Sequence, residues 1–358
     1  MSVERLLSAA TFLAAGSLLF VGLFSRVLLR MTNGPTKSGI TYSAFAILTA
    51  AVAVAGYRTG WGWWNLIPCL VLASAWGMEL HLRILRRHLI STGPVEVENS
   101  VRRLLAPITT HALALKRYEV RRPDWTFDRL RIVHVSDLHI NTMFPLDWYV
   151  LALDHATFMK PDLFFITGDL VSHVRSAPLL PGILCHATAR MGTYAILGNH
   201  DHWSNAGEVA SGVRSAGVTV LGNAWKKLKI APSEDVIISG CEEPWSPDTW
   251  RDPILHRDGC SLLVLSHTPD NIYRLSQAEA DVVFAGHNHG GQIVLPLVGS
   301  IIVPSRYGRR FDQGHFRIGR TDLFVTTGLG ADAPPLRIYC QPEILVVDLI
   351  REESLDHC

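Results

Sequence analysis

Charge is scarce in this chain and unevenly distributed. Lys, Arg, Asp and Glu make up 18% of its 358 residues, and the formal net charge is +1. A chain so balanced carries no global field for a polyanion, and no nucleic-acid partner is expected. Paired cysteines are missing too. The six cysteines form no C-x-x-C pair, which argues against a disulfide framework and suits a reducing compartment. There is no internal repeat and no low-complexity tract.

Charge is absent altogether from three stretches: Leu6 to Ser25, Ile40 to Gly56 and Trp61 to Met78. A spanning helix needs about 20 predominantly apolar residues, with a range near 17–25. Residues 1–88 therefore read as a transmembrane region of about three helices, over 6–29, 40–57 and 61–82. Two spans, or a single or cleaved anchor, are the alternatives. Against a signal peptide, the first run exceeds the usual apolar core of about 7–15 residues, and no A-x-A site follows it. Trp61, Trp63 and Trp64 stand where an interfacial aromatic belt would. Arg26, Arg30, Lys37, Arg83, Arg86 and Arg87 fall on one side of the runs, Arg5 and Arg58 on the other. The positive-inside rule then puts the remainder of the chain in the cytoplasm, on an inner membrane. Residues 89–115 read as a linker or an interfacial helix. Val101, Leu104, Leu105, Ile108, Ala112 and Leu115 repeat at helical spacing beside Arg102, Arg103, Lys116 and Arg117, with Pro107 interrupting. Membrane lipids are partners on that reading.

From residue 116 to 350 the texture changes to short apolar runs, followed by a tail over 351–358. Near-continuous apolar strands imply sheets covered on both faces, and ligands gather outside the strand ends of such folds. Five runs end on metal-ligand residue types. They deliver Asp137 and His139, then Asp169, then Asn199, then His267, then His287 and His289. Two carboxylates, one amide oxygen and four imidazoles are about what a pair of divalent ions needs. Any one of these residues alone would be read as a cap or a turn; their joint occurrence carries the inference. The donor set lacks thiolate and fits Mn, Fe, Zn or Co better than Mg or Ca.

These motifs, Asp137-x-His139, Gly168-Asp169, Gly198-Asn199-His200-Asp201, His267 and Gly286-His287-x-His289, resemble in order the signature of the calcineurin-like metallophosphoesterases. The run from Gly286 to Gln292, with Gly328-Leu-Gly330 and Arg337, is similar to the bacterial YkuE/YaeI-like branch. The resemblance implies an α/β, four-layer αββα sandwich. It implies one metal on Asp137, His139, Asp169 and His289, and a second on Asp169, Asn199, His267 and His287. Mn is preferred on the same ground. His200 would then supply the leaving-group proton, with Asp201 orienting its ring. The implied activity is hydrolysis of a phosphodiester or pyrophosphate bond. Some members of the branch act on a lipid-linked substrate, UDP-2,3-diacylglucosamine, in lipid A synthesis. The alternative is an inactive metal-binding membrane scaffold or sensor of the same fold. Cys241-Glu242-Glu243, Asn141, Asn288 and His315 depart from the branch pattern without touching the metal set. His134 reads as a core histidine, and His202 as structural or substrate-facing. Arg306, Arg309 and Arg310 read as a solvated loop or a phosphate contact.

Overall fold

The computed structural model describes residues 2–26, 35–99, 107–141, 144–232, 234–253, 257–295, 299–300, 302–332 and 335–352. It divides into two compact units, residues 1–88 with 301–310, and residues 89–300 with 311–358.

The first unit holds three helices, α1 (Val3–Arg26), α2 (Pro35–Thr59) and α3 (Leu66–Leu89). Small residues let α1 and α2 approach closely: a Cβ on Gly56 would lie 2.8 Å from the Ala9 Cα. Asn65, just before α3, is buried and donates to Ser8 Oγ at 3.0 Å and Thr11 Oγ1 at 3.2 Å. The three charge-free runs are thus helices. Among the described residues, however, no helix is long and apolar enough to cross a membrane.

The second unit runs β1 (Glu96–Glu98), β2 (Ala114–Arg122), β3 (Arg129–Val135), α4 (Leu146–Phe158), β4 (Leu163–Thr167), α5 (Leu180–Leu184), β5 (Thr193–Ile196), α6 (Asn199–Ser215), β6 (Thr219–Val220), β7 (Trp225–Ala231), β8 (Glu234–Cys241), β9 (Ser261–Ser266), α7 (Ile272–Gln277), β10 (Val282–Ala285), β11 (Val294–Leu295), β12 (Gly299–Ser300), β13 (Gly314–Ile318), β14 (Thr321–Val325) and β15 (Glu343–Arg351). One sheet has the order β1-β2-β15-β3-β4-β5-β6, the other β13-β14-β10-β9-β8-β7. Alternation along each strand sorts the side chains. On β3, Leu130 and Ile132 join a core shared with Leu263, Leu265 and Phe284 of the other sheet. Val133 and Val135 face the opposite way, among residues of α4, α5 and α6. Each fully buried Leu, Ile or Phe contributes about 1.5–3 kcal/mol. Two sheets packed face to face with helices outside are the α/β sandwich expected.

Strands β3, β4 and β5 are mutually parallel neighbours, as are β8, β9 and β10. Their C-terminal ends therefore open on one edge of the sandwich.

The interfacial helix needs correction. Val101, Leu104 and Leu105 lie outside the described residues, but 107–113 contains no helix and Ala114–Arg122 is a strand. Ile108 bridges Ile338, and the Ala114 N–H donates to the Pro342 carbonyl at 2.9 Å. Sheet pairing has claimed the backbone that the helical spacing pointed to. His134 is fully buried, its Nε2 2.8 Å from Thr167 Oγ1.

Candidate metal centre

The turns leaving β3, β4, β9 and β10 interlock through their backbones. Asp137 N–H donates to the Gly168 carbonyl, His139 N–H to that of Asp169, and Gly286 N–H to that of His267, each at 2.9 Å. His287 N–H donates in turn to the Asp137 carboxylate at 3.0 Å. The interlocking holds an unusual backbone. Asp137, His139, Asp169, His287 and His289 all have positive φ, between 46° and 67°. Such conformations cost of order 1–3 kcal/mol each outside glycine and gather at functional sites. Two glycines are there for space. A Cβ on Gly198 would stand 2.2 Å from Asp169 Oδ1, and one on Gly286 2.2 Å from Asp137 Oδ2.

The seven candidate ligands are all buried. His289 Nε2 lies 3.4 Å from Asp137 Oδ1 and 3.1 Å from His139 Nε2. Asp169 Oδ2 lies 3.6 Å from His139 Nε2 and 3.3 Å from His267 Nε2. His267 Nε2 is 3.1 Å from Asn199 Oδ1. Three groups could each hold an ion, with ligand atoms within 4.8 Å of one another: Asp137, His139 and His289; His139, Asp169 and His200; and Asp169, His267 and His287. Asp169 is common to two of them. Metal–nitrogen and metal–oxygen bonds of about 2.0–2.2 Å put neighbouring ligand atoms roughly 3–3.6 Å apart. The observed separations fit that edge length. Two imidazole nitrogens face each other inside the cluster, and among the described residues His289 Nδ1 has no hydrogen-bond partner. The donor sets fit divalent cations.

Residues 130–291 match the calcineurin-like phosphoesterase family. The chain is 32% identical over 233 residues to YkuE, an uncharacterized metallophosphoesterase of Bacillus subtilis, covering 62% of this chain and 80% of YkuE. The chain belongs to the metallophosphoesterases. It is 28% identical to the Escherichia coli phosphodiesterase YaeI, over 62% of this chain and 82% of that one. It is 25% identical to the Chlamydia muridarum UDP-2,3-diacylglucosamine pyrophosphatase LpxG, over 65% and 90% of the two chains. A metal-dependent hydrolase of phosphoric esters or anhydrides is therefore the enzyme class.

The electrostatics of this metallophosphoesterase favour a cation. Burial works against charge on His267, yet the Asp169 and Asp137 carboxylates outweigh it and raise its pKa to about 9. Burial, then the nearby His200, push His139 down to about 4. Burial, then His139 and Arg337, hold His289 well below the usual histidine range. His139 and His289 are thus neutral, and Asp169 is ionised because, against its burial, His267 foremost holds it well below the usual carboxylate range. These are the states a metal requires, while His267 carries a proton that a bound cation would displace.

His200 and Asp201 open α6, where consecutive side chains do not face each other. The Asp201 carboxylate instead accepts from Leu170 N–H at 2.9 Å, Gly198 N–H at 2.9 Å and Val171 N–H at 3.1 Å. Its role as orienter of His200 is thereby corrected: it ties the β4 turn to the β5 turn. The carboxylate near the His200 ring is Asp332, with Oδ2 3.6 Å from Nε2. Sequence reasoning missed it. Gln292, inside the last motif, holds it in place, because its amide pairs with the Asp332 backbone through two 3.0 Å bonds. Arg337 is fully buried and donates to the Thr327 carbonyl at 2.7 Å and to those of Gly328 and Gly330. That turn packs on Asp137, with the Gly330 N–H 2.8 Å from the Asp137 carbonyl.

Proposed function

We propose that the chain is a membrane-anchored dinuclear phosphoesterase acting on a phosphodiester or pyrophosphate bond. Asp137, His139, Asp169 and His289 would hold one divalent cation; Asp169, Asn199, His267 and His287 would hold the other. The carrying observation is the Asp169 carboxylate within 3.6 Å of histidines from both clusters. When bound, such a pair supplies charge neutralisation on phosphoryl oxygens and a nucleophile near neutral pH. The chain's own part is positional. His200, fixed through its N–H to Asp169 Oδ1 at 2.8 Å, holds a proton for the departing oxygen. Asp332 Oδ2, 3.6 Å from the His200 Nε2, is placed to orient the ring. The thiolate-free donors fit Mn, Fe, Zn or Co, and the preference for Mn among them rests on the family resemblance.

Residues 116–350 are the catalytic domain on this reading. The charge-free runs before Glu79 support anchoring, with the catalytic domain cytoplasmic at an inner membrane and membrane lipids around the anchor. A lipid-linked pyrophosphate such as UDP-2,3-diacylglucosamine is the favoured substrate, supported by the likeness to LpxG. Purified, Mn-loaded full chain should hydrolyse this compound and bis-p-nitrophenyl phosphate. A wild type that binds two metals and turns over neither would favour the scaffold alternative. Labelling of Cys358 by an impermeant thiol reagent on intact cells would reverse the orientation.

A further inference from the structure

The segment after β8, Cys241-Glu242-Glu243-Pro244-Trp245, sets an indole against the second cluster. The Trp245 ring centroid lies 5.0 Å from that of His287 and 5.4 Å from that of His267. The His200 ring, by contrast, stands edge-on to His139 with centroids 4.7 Å apart and lies tilted against Trp203 at 5.2 Å. Trp245 thus stands on the side of the centre away from the proton donor.

The segment carrying it is pinned at Glu242 and Glu243, on the far side of Pro244. Buried Glu242 accepts from Leu197 N–H at 2.7 Å and sits 3.1 Å from His202 Nε2, while its own N–H donates to Asn223 Oδ1 at 2.6 Å. Glu243 accepts from Trp250 N–H at 2.7 Å, pairs with Arg274 at 2.5 Å, and its carbonyl accepts from Asn271 Nδ2 at 2.9 Å. Two adjacent carboxylates anchored in different directions leave Trp245 little freedom. A half-buried indole held this way binds at low entropic cost. Its π-face suits a flat ring more than a flexible chain.

We propose that Trp245 walls a subsite for the organic group that stays on phosphorus, and that this subsite favours an aryl group carried directly on the phosphate. The inference rests on the phosphoesterase reading above. Glu242 and Glu243 are positioning residues that act through Trp245.

The test holds the leaving group constant. Mn-loaded wild type, Trp245→Ala, Trp245→Leu and Trp245→Phe are assayed on phenyl p-nitrophenyl phosphate and methyl p-nitrophenyl phosphate. The preference in kcat/KM for phenyl over methyl should fall about tenfold in Trp245→Ala and Trp245→Leu, and survive largely in Trp245→Phe, the size of one lost aromatic contact. Binding of phenylphosphonate should weaken in the same variants, and that of methylphosphonate should not. Trp245→Leu serves if the alanine variant does not fold. Equal losses on both esters would reduce Trp245 to a prop for His267 and His287, and an unchanged ratio would remove it from the site. Either result overturns the proposal alone. A wild type inactive on both esters overturns the phosphoesterase reading with it.

Discussion

His200 Nε2 stands 3.6 Å from Asp332 Oδ2, although 132 positions separate the two and His200 has an aspartate as its immediate neighbour. The two carboxylates then do different work. Asp332→Asn should lower kcat about 3–10-fold on bis-p-nitrophenyl phosphate, leaving KM and thermal stability close to wild type. Asp201→Asn should do the reverse, because it puts an amide donor against backbone N–H groups. A stability loss of about 1–3 kcal/mol is expected, read by urea denaturation. Equal kinetic losses in both variants would contradict the division.

His200 belongs by distance to a potential ligand group with His139 and Asp169. His200→Ala should nevertheless retain two metal ions per chain and lose about 10²–10⁴-fold in turnover. Retention of metal is measured by elemental analysis on the same sample as the rate. Loss of an ion would make His200 a ligand instead.

Gly286 has no room for a methyl group, since a Cβ there would lie 2.1 Å from Ser136 Oγ and 2.2 Å from Asp137 Oδ2. Gly286→Ala must displace Asp137, and overpacking of this kind costs about 1–3 kcal/mol. Mn affinity should fall together with the melting temperature. An alanine variant with wild-type metal affinity would show that the turn yields more readily than its packing implies.

Buried His134 gives the stability a pH dependence. Desolvation lowers its pKa to about 3 in the folded chain, while the unfolded chain protonates near pH 6.5. As pH falls below 6.5 the unfolded state takes up the proton first. Stability is therefore complete above that value and is lost on acidification, by at most about 1.4 kcal/mol per pH unit. His134→Gln should remove this increment between pH 7.5 and 5.5 in paired urea titrations. Identical slopes for variant and wild type would refute it.

The strand-end motifs were legible because each follows an apolar run directly, so local order alone locates Asp137, Asp169, His267 and His287. The three N-terminal helices were legible for a similar reason: a run without charge is a local property. Asp332 and Trp245 were not, and Arg337, picked out beside Gly328 and Gly330 by resemblance, did not show its clamping role. Each reaches the centre from a long connection whose path is set by tertiary contacts, such as the Gln292 amide on the Asp332 backbone. Asp201 misled because neighbours in sequence diverge once a helix begins, and 107–115 misled because sheet pairing overrides a helical hydrophobic spacing.

The ion count of the Asp169→Asn variant tests the shared-ligand centre most directly. Wild type and variant are saturated with Mn, freed of excess metal, and analysed by inductively coupled plasma mass spectrometry. Two ions per wild-type chain and well below one per variant chain are expected, since one carboxylate serves both. A variant that still carries two would contradict the shared ligand and the dinuclear centre built on it.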